Sequence, residues 1–377
     1  MLKLALVANE PPPYRIPVFN RIASHAVIQF QVIFCCRHEP NRHWDYPPIT
    51  FDHVYLRENI RNVNGRYIHH NPDVITALNR FAPDLVIGNG FNPTHLYAML
   101  WCAARRRPYI PMTDGTLVSE KLLSPLHSLV RRQVYKRAAA FIAASQGGMQ
   151  LYQSYSVPRS LCYQSCLCID NDSFRPAPDA LNQKRWDFIF CGRFEPSKQP
   201  GFAMDVALRC AELLGRKIRL LFVGAGSLDS DLRARAEVHK EKIDICFHGF
   251  ATQAELPGLY QSARIFLFPT QGDVWGVVAN EACAAGLPVI VSPHAGVAGE
   301  LIVEGQNGYV CDLELENWAS CAAGLLSDPV RQAAFGQRSM LLVAPYCFDQ
   351  AAEGMIQASL AAKNKQRKNN MPLSRPA

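Results

Sequence analysis

The chain has 377 residues, 49% of them hydrophobic and 19% charged, with a formal net charge of +7 and a pI near 8.8. That length exceeds one ordinary core and suits two domains, and the composition is that of a globular rather than a disordered protein. The positive balance favours anionic partners: nucleotide phosphates, anionic lipid surfaces or nucleic acid.

The 13 cysteines are an odd number, and many lie in apolar runs such as Phe34-Cys35-Cys36, Phe190-Cys191 and Ile245-Cys246-Phe247. This is the usage of reduced, buried thiols in a cytoplasmic protein. Cys162, Cys166 and Cys168 form a local cluster whose spacing suits alternation along a strand better than a zinc site. The apolar start, Met1 to Ala8, is too short for a signal peptide and lacks a cleavage site. No run of about 18 apolar residues occurs, so no membrane span is expected.

In chain order, Leu2 to Ala8 reads as a buried first strand. The turn Asn9-Glu-Pro-Pro-Pro-Tyr14-Arg15 follows, then a helix over 18–23. A loop after the first strand of an α/β sheet points at the carboxyl edge, where ligands bind. Tyr14 and Arg15 are therefore candidates to face the cleft, against the alternative of a core-edge tyrosine and a surface arginine. Strands are expected over 27–36 and 50–56. Asn71-Pro72 signals a helix start for 73–81, with Asn71 as cap. A buried strand over 83–88 ends at Asn89, and a strand over 108–112 ends at Thr113-Asp114-Gly115. Asn89 and Asp114 thus both sit at strand ends as further site candidates, each with an ordinary reading as a turn or cap residue.

A helix over 124–138 carries Arg131, Arg132, Lys136 and Arg137. It reads first as a solvated face and, more sharply, as contact with an anionic membrane bearing a lipid-linked acceptor. Ser145 is expected to cap the next helix, and a strand is expected over 161–168. The polar, proline-bearing stretch 175–185 has the composition of a domain linker.

The second half repeats the rhythm. Strands are expected over 186–191, 217–223, 243–247, 265–268 and 289–291, with helices between them. Strands alternating with helices imply parallel sheets. Two such blocks imply two facing doubly wound α/β domains, at 1–175 and 186–345. Helices follow over 317–326, 329–344 and 348–362, and 363–377 is expected to be a basic, disordered tail.

Two motifs in this half carry chemistry. Gly192-Arg193-Phe-Glu-Pro-Ser-Lys198 puts two cations at a strand end. It is not a P-loop, because the glycine spacing and the Lys-Ser/Thr ending are absent. Paired cations there can stabilise a leaving diphosphate. Gly224-x-Gly226 reads as a plain tight turn. In Pro269-Thr-Gln-Gly-Asp273-Val-Trp275-Gly276-Val-Val-Ala-Asn-Glu281, two acids are separated by eight steps, about 12 Å if all were helical. Val277, Val278, Ala282 and Ala285 are expected on one side of that helix, which Gly286-Leu-Pro stops. Its N-terminus between the acids suits a phosphate. A sugar at one acid and a ribose at the other would fill the span.

With Gly192-Arg193, Lys198 and Asp273-x7-Glu281 together, the chain resembles the family-4 retaining glycosyltransferases of the GT-B fold. Ile169-Asp-Asn-Asp-Ser-Phe174 resembles the family's linker motif. Ala295-Gly296, Glu300 and Gly305-x-Asn-Gly308 resemble its later loop. Phe348-Asp onward resembles the helix that returns to the first domain.

The resemblance implies a donor diphosphate held by Arg193 and Lys198, ribose hydroxyls on Glu281 and hydroxyls of the transferred sugar on Asp273. Gly192, Gly249 and the Val274-Trp275-Gly276 backbone complete its donor side. It implies transfer with retention, no metal, and no cofactor beyond the nucleotide-diphosphate sugar as co-substrate. The first acid is usually Glu, so Asp273 is one methylene short. Pro-Tyr-Arg and Asn89 stand in place of the Gly-Gly loop and histidine of many members.

The leading reading is thus a transferase moving a sugar to a glycan or lipid-linked acceptor in surface polysaccharide synthesis. Its expected place is the cytoplasm or the inner face of the membrane. A GT-B nucleotide-sugar epimerase and a non-catalytic scaffold are the alternatives. No aromatic-interleaved basic motif supports nucleic acid.

Overall fold

The computed structural model describes residues 1–40, 46–63, 66–121, 123–176 and 184–370. The chain divides into two compact units, residues 1–167 with 348–377, and residues 168–347. Each is α/β with a parallel main sheet.

The first unit holds strands β1 (Leu2–Ala8), β2 (Ile28–Phe34), β3 (Asp52–Tyr55), β4 (Ile60–Val63), β5 (Arg66–His69), β6 (Leu85–Gly88), β7 (Tyr109–Thr113), β8 (Phe141–Ala143) and β9 (Cys162–Gln164). Its helices are α1 (Ile16–Ala23), α2 (Val74–Phe81), α3 (Pro93–Ala104), α4 (Leu117–Glu120), α5 (Pro125–Arg137) and α6 (Gln146–Ser154). The sheet order is β3-β2-β1-β6-β7-β8-β9, with β4 and β5 as a separate antiparallel hairpin. β1 is buried along nearly its whole length, as a strand covered on both faces must be. Its neighbours β2 and β6 run parallel to it in continuous register.

The second unit holds α7 (Asn171–Phe174), β10 (Trp186–Cys191), α8 (Pro200–Leu214), β11 (Ile218–Val223), α9 (Asp229–Val238), β12 (Ile243–Gly249), α10 (Leu256–Gln261), β13 (Ala263–Phe268), α11 (Val277–Ala284), β14 (Val289–Val291), β15 (Gly308–Val310), α12 (Leu315–Ser327) and α13 (Pro329–Val343). Its sheet order is β12-β11-β10-β13-β14-β15. Phe190, Phe194 and Phe222 pack mutually, with centroids 5.5–6.1 Å apart, in a core closed by Trp318. Each such ring contributes about 2–3 kcal/mol through burial.

The last helix, α14 (Phe348–Asn370), belongs to the first unit. Arg21 of α1 pairs with Asp349 and lies over the Phe348 ring. At Gly354 a Cβ would stand 1.6 Å from the Gln164 carbonyl, so that position lets the helix lie directly on β9. The expected disordered tail from 363 is corrected in part. The helix runs on to Asn370 because Lys363 pairs with Asp84 at 3.0 Å and Gln366 donates to the Arg106 carbonyl at 2.6 Å. Residues 371–377 lie outside the described residues.

Other differences have local causes. Asn71 does not cap α2; its amide donates to the carbonyls of Cys35 and Arg57. Cys166 and Cys168 are buried beyond the end of β9, not alternating along it. Most of the expected linker, residues 177–183, lies outside the described residues, and the division by compactness falls earlier, at 167/168. Helix α11 is enclosed from Ala279 to Ala284, while Val277 and Val278 are half-buried, so it lacks the one-sided apolar face expected for it. Ser145 caps α6 as expected, accepting from the Gly148 N–H at 3.1 Å. No helix of the described residues is long and apolar enough to cross a membrane.

Candidate active site

In the second unit the sheet order reverses between β10 and β13. Ligands of doubly wound sheets bind at that switch point, beyond the carboxyl ends of the strands. Two loops meet there, 192–199 after β10 and 269–276 after β13. Lys198 Nζ lies 2.8 Å from Asp273 Oδ2 and donates to the Gly272 carbonyl at 3.2 Å. The backbone N–H of Gln271 donates to the Ser197 carbonyl at 2.8 Å, which ties the loops together. The second oxygen of Asp273 accepts from the Trp275 N–H at 3.1 Å. Both carboxylate oxygens are thus fixed, one by a cation and one by the loop's own backbone.

The loop needs glycine at 276. Its φ is +105°, and a Cβ would stand 2.3 Å from the Phe268 ring. The residue serves as N-cap of α11 without any side-chain cap. Trp275 is buried, with Nε1 donating to Asn280 Oδ1 at 2.8 Å and its ring against Tyr346 at 5.2 Å. Val274 is exposed. The loop containing Ala295-Gly296 backs this segment. The Gly296 N–H donates to the Asp273 carbonyl at 3.0 Å, and a Cβ there would lie 2.1 Å from the Val274 carbonyl.

Arg193 is exposed, and its guanidinium has no ion pair among the described residues. Gly224-x-Gly226 proves to be a packing device. A Cβ at Gly224 would meet the Gly192 carbonyl at 2.0 Å, and one at Gly226 the Phe194 carbonyl at 2.5 Å. Glu195 latches the same pair of loops by accepting from the Ser227 hydroxyl at 2.9 Å. At the end of β12 the register with β11 slips so that Val223 pairs with Gly249, which places Gly249 at the same edge.

Glu281 is buried on α11 and accepts a 2.8 Å hydrogen bond from the Tyr260 hydroxyl. Glu281 is therefore no solvated surface charge. Burial pushes its carboxyl up to about 7, and the Tyr260 hydrogen bond offsets part of that rise. Burial and the nearby Glu281 also push the Cys191 thiol up to about 12. Tyr260 was not foreseen in the sequence. A tyrosine inside the 256–261 helix carries no motif that separates it from a core residue.

In the first unit the reversal lies between β1 and β6. Asn89 is half-buried there, its N–H donating to the Val7 carbonyl at 3.0 Å. Tyr14 is half-buried in the loop after β1. Arg15 is neither a surface charge nor open to a ligand; it is 1% exposed. Its Nη1 donates to Ser165 Oγ at 3.0 Å and to the carbonyls of Ser165 and Cys166 at 3.1 Å each. Its Nη2 pairs with Asp114 Oδ1 at 3.1 Å. Asp114 is therefore an ion-pair partner rather than a turn cap, and Thr116 with Ser119 forms the capping box of α4 instead. His95 is fully enclosed, and burial lowers it to about 3, so its ring is neutral.

Residues 172–340 match the family model described as glycosyl transferases group 1. The chain carries a group 1 glycosyltransferase domain. It is 28% identical over 200 residues to a D-inositol 3-phosphate glycosyltransferase of Rhodococcus opacus, covering 50% of this chain and 44% of that one. It is 31% identical over 198 residues to a second such protein from Catenulispora acidiphila, covering 46% and 44%. The chain thus spans less than half the length of these curated relatives.

Solved structures agree with the fold along almost the whole chain. Anabaena HepE in complex with UDP superposes with a TM-score of 0.73 at 16% identity, covering 96% of this chain and 100% of that one. WaaG, a glycosyltransferase involved in lipopolysaccharide biosynthesis, gives 0.64 at 15% identity, covering 95% and 99%. The glycosyltransferase domain and the unit around β1 are the two doubly wound units of the GT-B class. The family match begins within α7, in the second compact unit.

Proposed function

We propose that the protein is a retaining glycosyltransferase that moves a sugar from a nucleotide diphosphate to a glycan or lipid-linked acceptor in surface polysaccharide synthesis. The observation carrying this reading is the Lys198–Asp273 pair at the switch point of the glycosyltransferase domain. A cation at that edge meets the leaving diphosphate, and an acid beside it accepts hydroxyls of the sugar. Arg193, exposed on the same loop, supplies a second cation. Glu281, one helix turn and more beyond Gly276, accepts the ribose hydroxyls. With two cations to carry the developing charge, the leaving group needs no divalent metal.

Front-face attack accounts for retention. The acceptor hydroxyl approaches on the side of the departing phosphate, whose oxygen takes the hydroxyl proton as the new glycosidic bond forms. HepE has been crystallised with UDP-glucose, which supports uridine donors as the first to test. The experiment is a thermal-shift screen of UDP-, GDP- and ADP-sugars on wild type and Glu281→Ala, followed by transfer assays with the donor that binds. A stabilising donor, lost with Glu281→Ala, is the expected result. Normal turnover by Glu281→Ala across the panel refutes the assignment. Isomerised donor without acceptor would make the protein an epimerase.

A further inference from the structure

The end of β15 and the middle of α12 bring two thiols together. Cys311, the residue after β15, and Cys321 of α12 have their sulfurs 3.8 Å apart. Both residues are half-buried, whereas Cys210 and Cys283 of the same unit are enclosed, as cysteines used as small apolar residues are. Backbone contacts hold the pair in place. The Cys311 N–H donates to the Val291 carbonyl of β14 at 2.9 Å. Trp318, itself buried, donates from Nε1 to the carbonyls of Cys311 and Asp312 at 3.2 and 2.8 Å. Cys321 follows Trp318 by three residues and so stands on the same face of α12.

At 3.8 Å the sulfurs touch, and side-chain rotation suffices to reach a bond of about 2.05 Å. The two thiols are also unequal. The hydrogen bond between them lowers the Cys321 thiol. The same bond, burial, the charge on Cys321 and the acids Glu304 and Asp312 raise the Cys311 thiol. Cys321 is thus the member that carries thiolate, the form that reacts.

We propose that Cys311 and Cys321 close a reversible disulfide that staples the edge strand β15 to α12, with a peroxide as oxidant. The Cys321 sulfur attacks one peroxide oxygen, the O–O bond breaks, and one water leaves as a sulfenic acid forms. The Cys311 sulfur then attacks the Cys321 sulfur and the S–O bond breaks. The Cys311 proton goes to the departing hydroxide, which leaves as a second water. The thiol pair loses two electrons and the peroxide gains them. A dithiol reductant reverses the bond. The staple closes the loop from 311 to 321 and so restricts the unfolded chain. It stands on the geometry of the second unit's edge and is separate from donor chemistry.

The test treats the reduced full chain with hydrogen peroxide and counts thiols by alkylation after denaturation. Wild type is expected to lose two of its 13 thiols. Its intact mass is expected to fall by about 2 Da, with a 311–321 cross-link in the peptide map. Dithiothreitol is expected to restore both thiols. The oxidised protein is expected to melt about 3 °C or more above the reduced protein. In Cys311→Ser a sulfenic acid stays on Cys321 and is trapped by dimedone. Cys321→Ser is expected to keep its thiols. Cys246→Ser removes a half-buried thiol elsewhere in the unit and is expected to behave as wild type. Melting of each reduced variant reports its folding.

Equal thiol loss from wild type and Cys321→Ser overturns the proposal. So does a cross-link mapped to any other pair or between two copies. Oxidised protein that melts no higher than reduced protein overturns the staple. A dimedone adduct on Cys311 in Cys321→Ser, with none on Cys321 in Cys311→Ser, overturns the order of attack.

Discussion

The Tyr260 hydroxyl and Glu281 Oε2 are joined by a 2.8 Å hydrogen bond inside the second unit, on helices 21 residues apart in sequence. The bond stabilises the ionised carboxyl against a burial that favours the neutral one. A ribose held by a carboxylate acceptor therefore binds more tightly as pH rises through about 7. Tyr260→Phe removes the opposing donor, and the midpoint is expected to move up. Calorimetric donor affinity from acid to alkaline pH measures both. A pH-independent affinity in wild type would show that Glu281 does not bind ribose as a carboxylate.

The same acid affects stability with a definite sign. Its folded value of about 7 lies above its ordinary 4.5, so its contribution is complete below about 4.5 and falls as pH rises to about 7. The span corresponds to about 3 kcal/mol. Glu281→Gln is expected to flatten the fall in melting temperature of the chain over that window.

Asp273→Asn keeps an oxygen for the Trp275 N–H while removing the charge opposite Lys198. Turnover is expected to drop about a hundredfold or more, with stability changed by less than about 1 kcal/mol because the pair is partly exposed. Steady-state kinetics beside a melting curve separates these. A loss of stability matching the loss of turnover would make the residue structural.

Gly276→Ala meets two obstacles, a positive φ and the Phe268 ring at 2.3 Å. Gly215→Ala meets the first alone, since φ is +61° and no atom lies within 4 Å of the added carbon. Losses of about 1 kcal/mol at Gly215 and clearly more at Gly276 are expected in denaturant unfolding. Equal losses would mean that the ring gives way.

Arg15→Met leaves Asp114 without its cation and the Ser165 and Cys166 carbonyls without their donor. A loss of about 3–5 kcal/mol is expected. Adding Asp114→Asn is expected to recover part of it by removing the uncompensated charge. A double variant no more stable than the single one would show that the pair contributes little and the carbonyls most.

Much of the fold is legible along the chain because it is written in short-range terms. The apolar run of β1, the alternation of strands with helices, Ser145 as a cap and Gly286 as a stop depend on neighbours within a few residues. The separate pair β4 and β5 is not legible along the chain because short, largely exposed strands carry no clear apolar period. The length of α14 was misjudged because its last turns are polar, and the contacts at Lys363 and Gln366 come from Asp84 and Arg106.

The sequence by itself determined two α/β halves, a glycosyltransferase domain with its motifs in order, and a pair of basic and acidic residues at strand ends. Tertiary structure decided which of those charges are used up. Arg15 spends its guanidinium on groups 99 and 150 residues away, Lys198 reaches Asp273 across 75 residues, and Glu281 acquires Tyr260. Local pattern follows from backbone geometry and periodicity, which neighbouring residues set. The partner and ionisation of a polar side chain follow from what the folded chain packs around it, and that depends on residues far off in sequence.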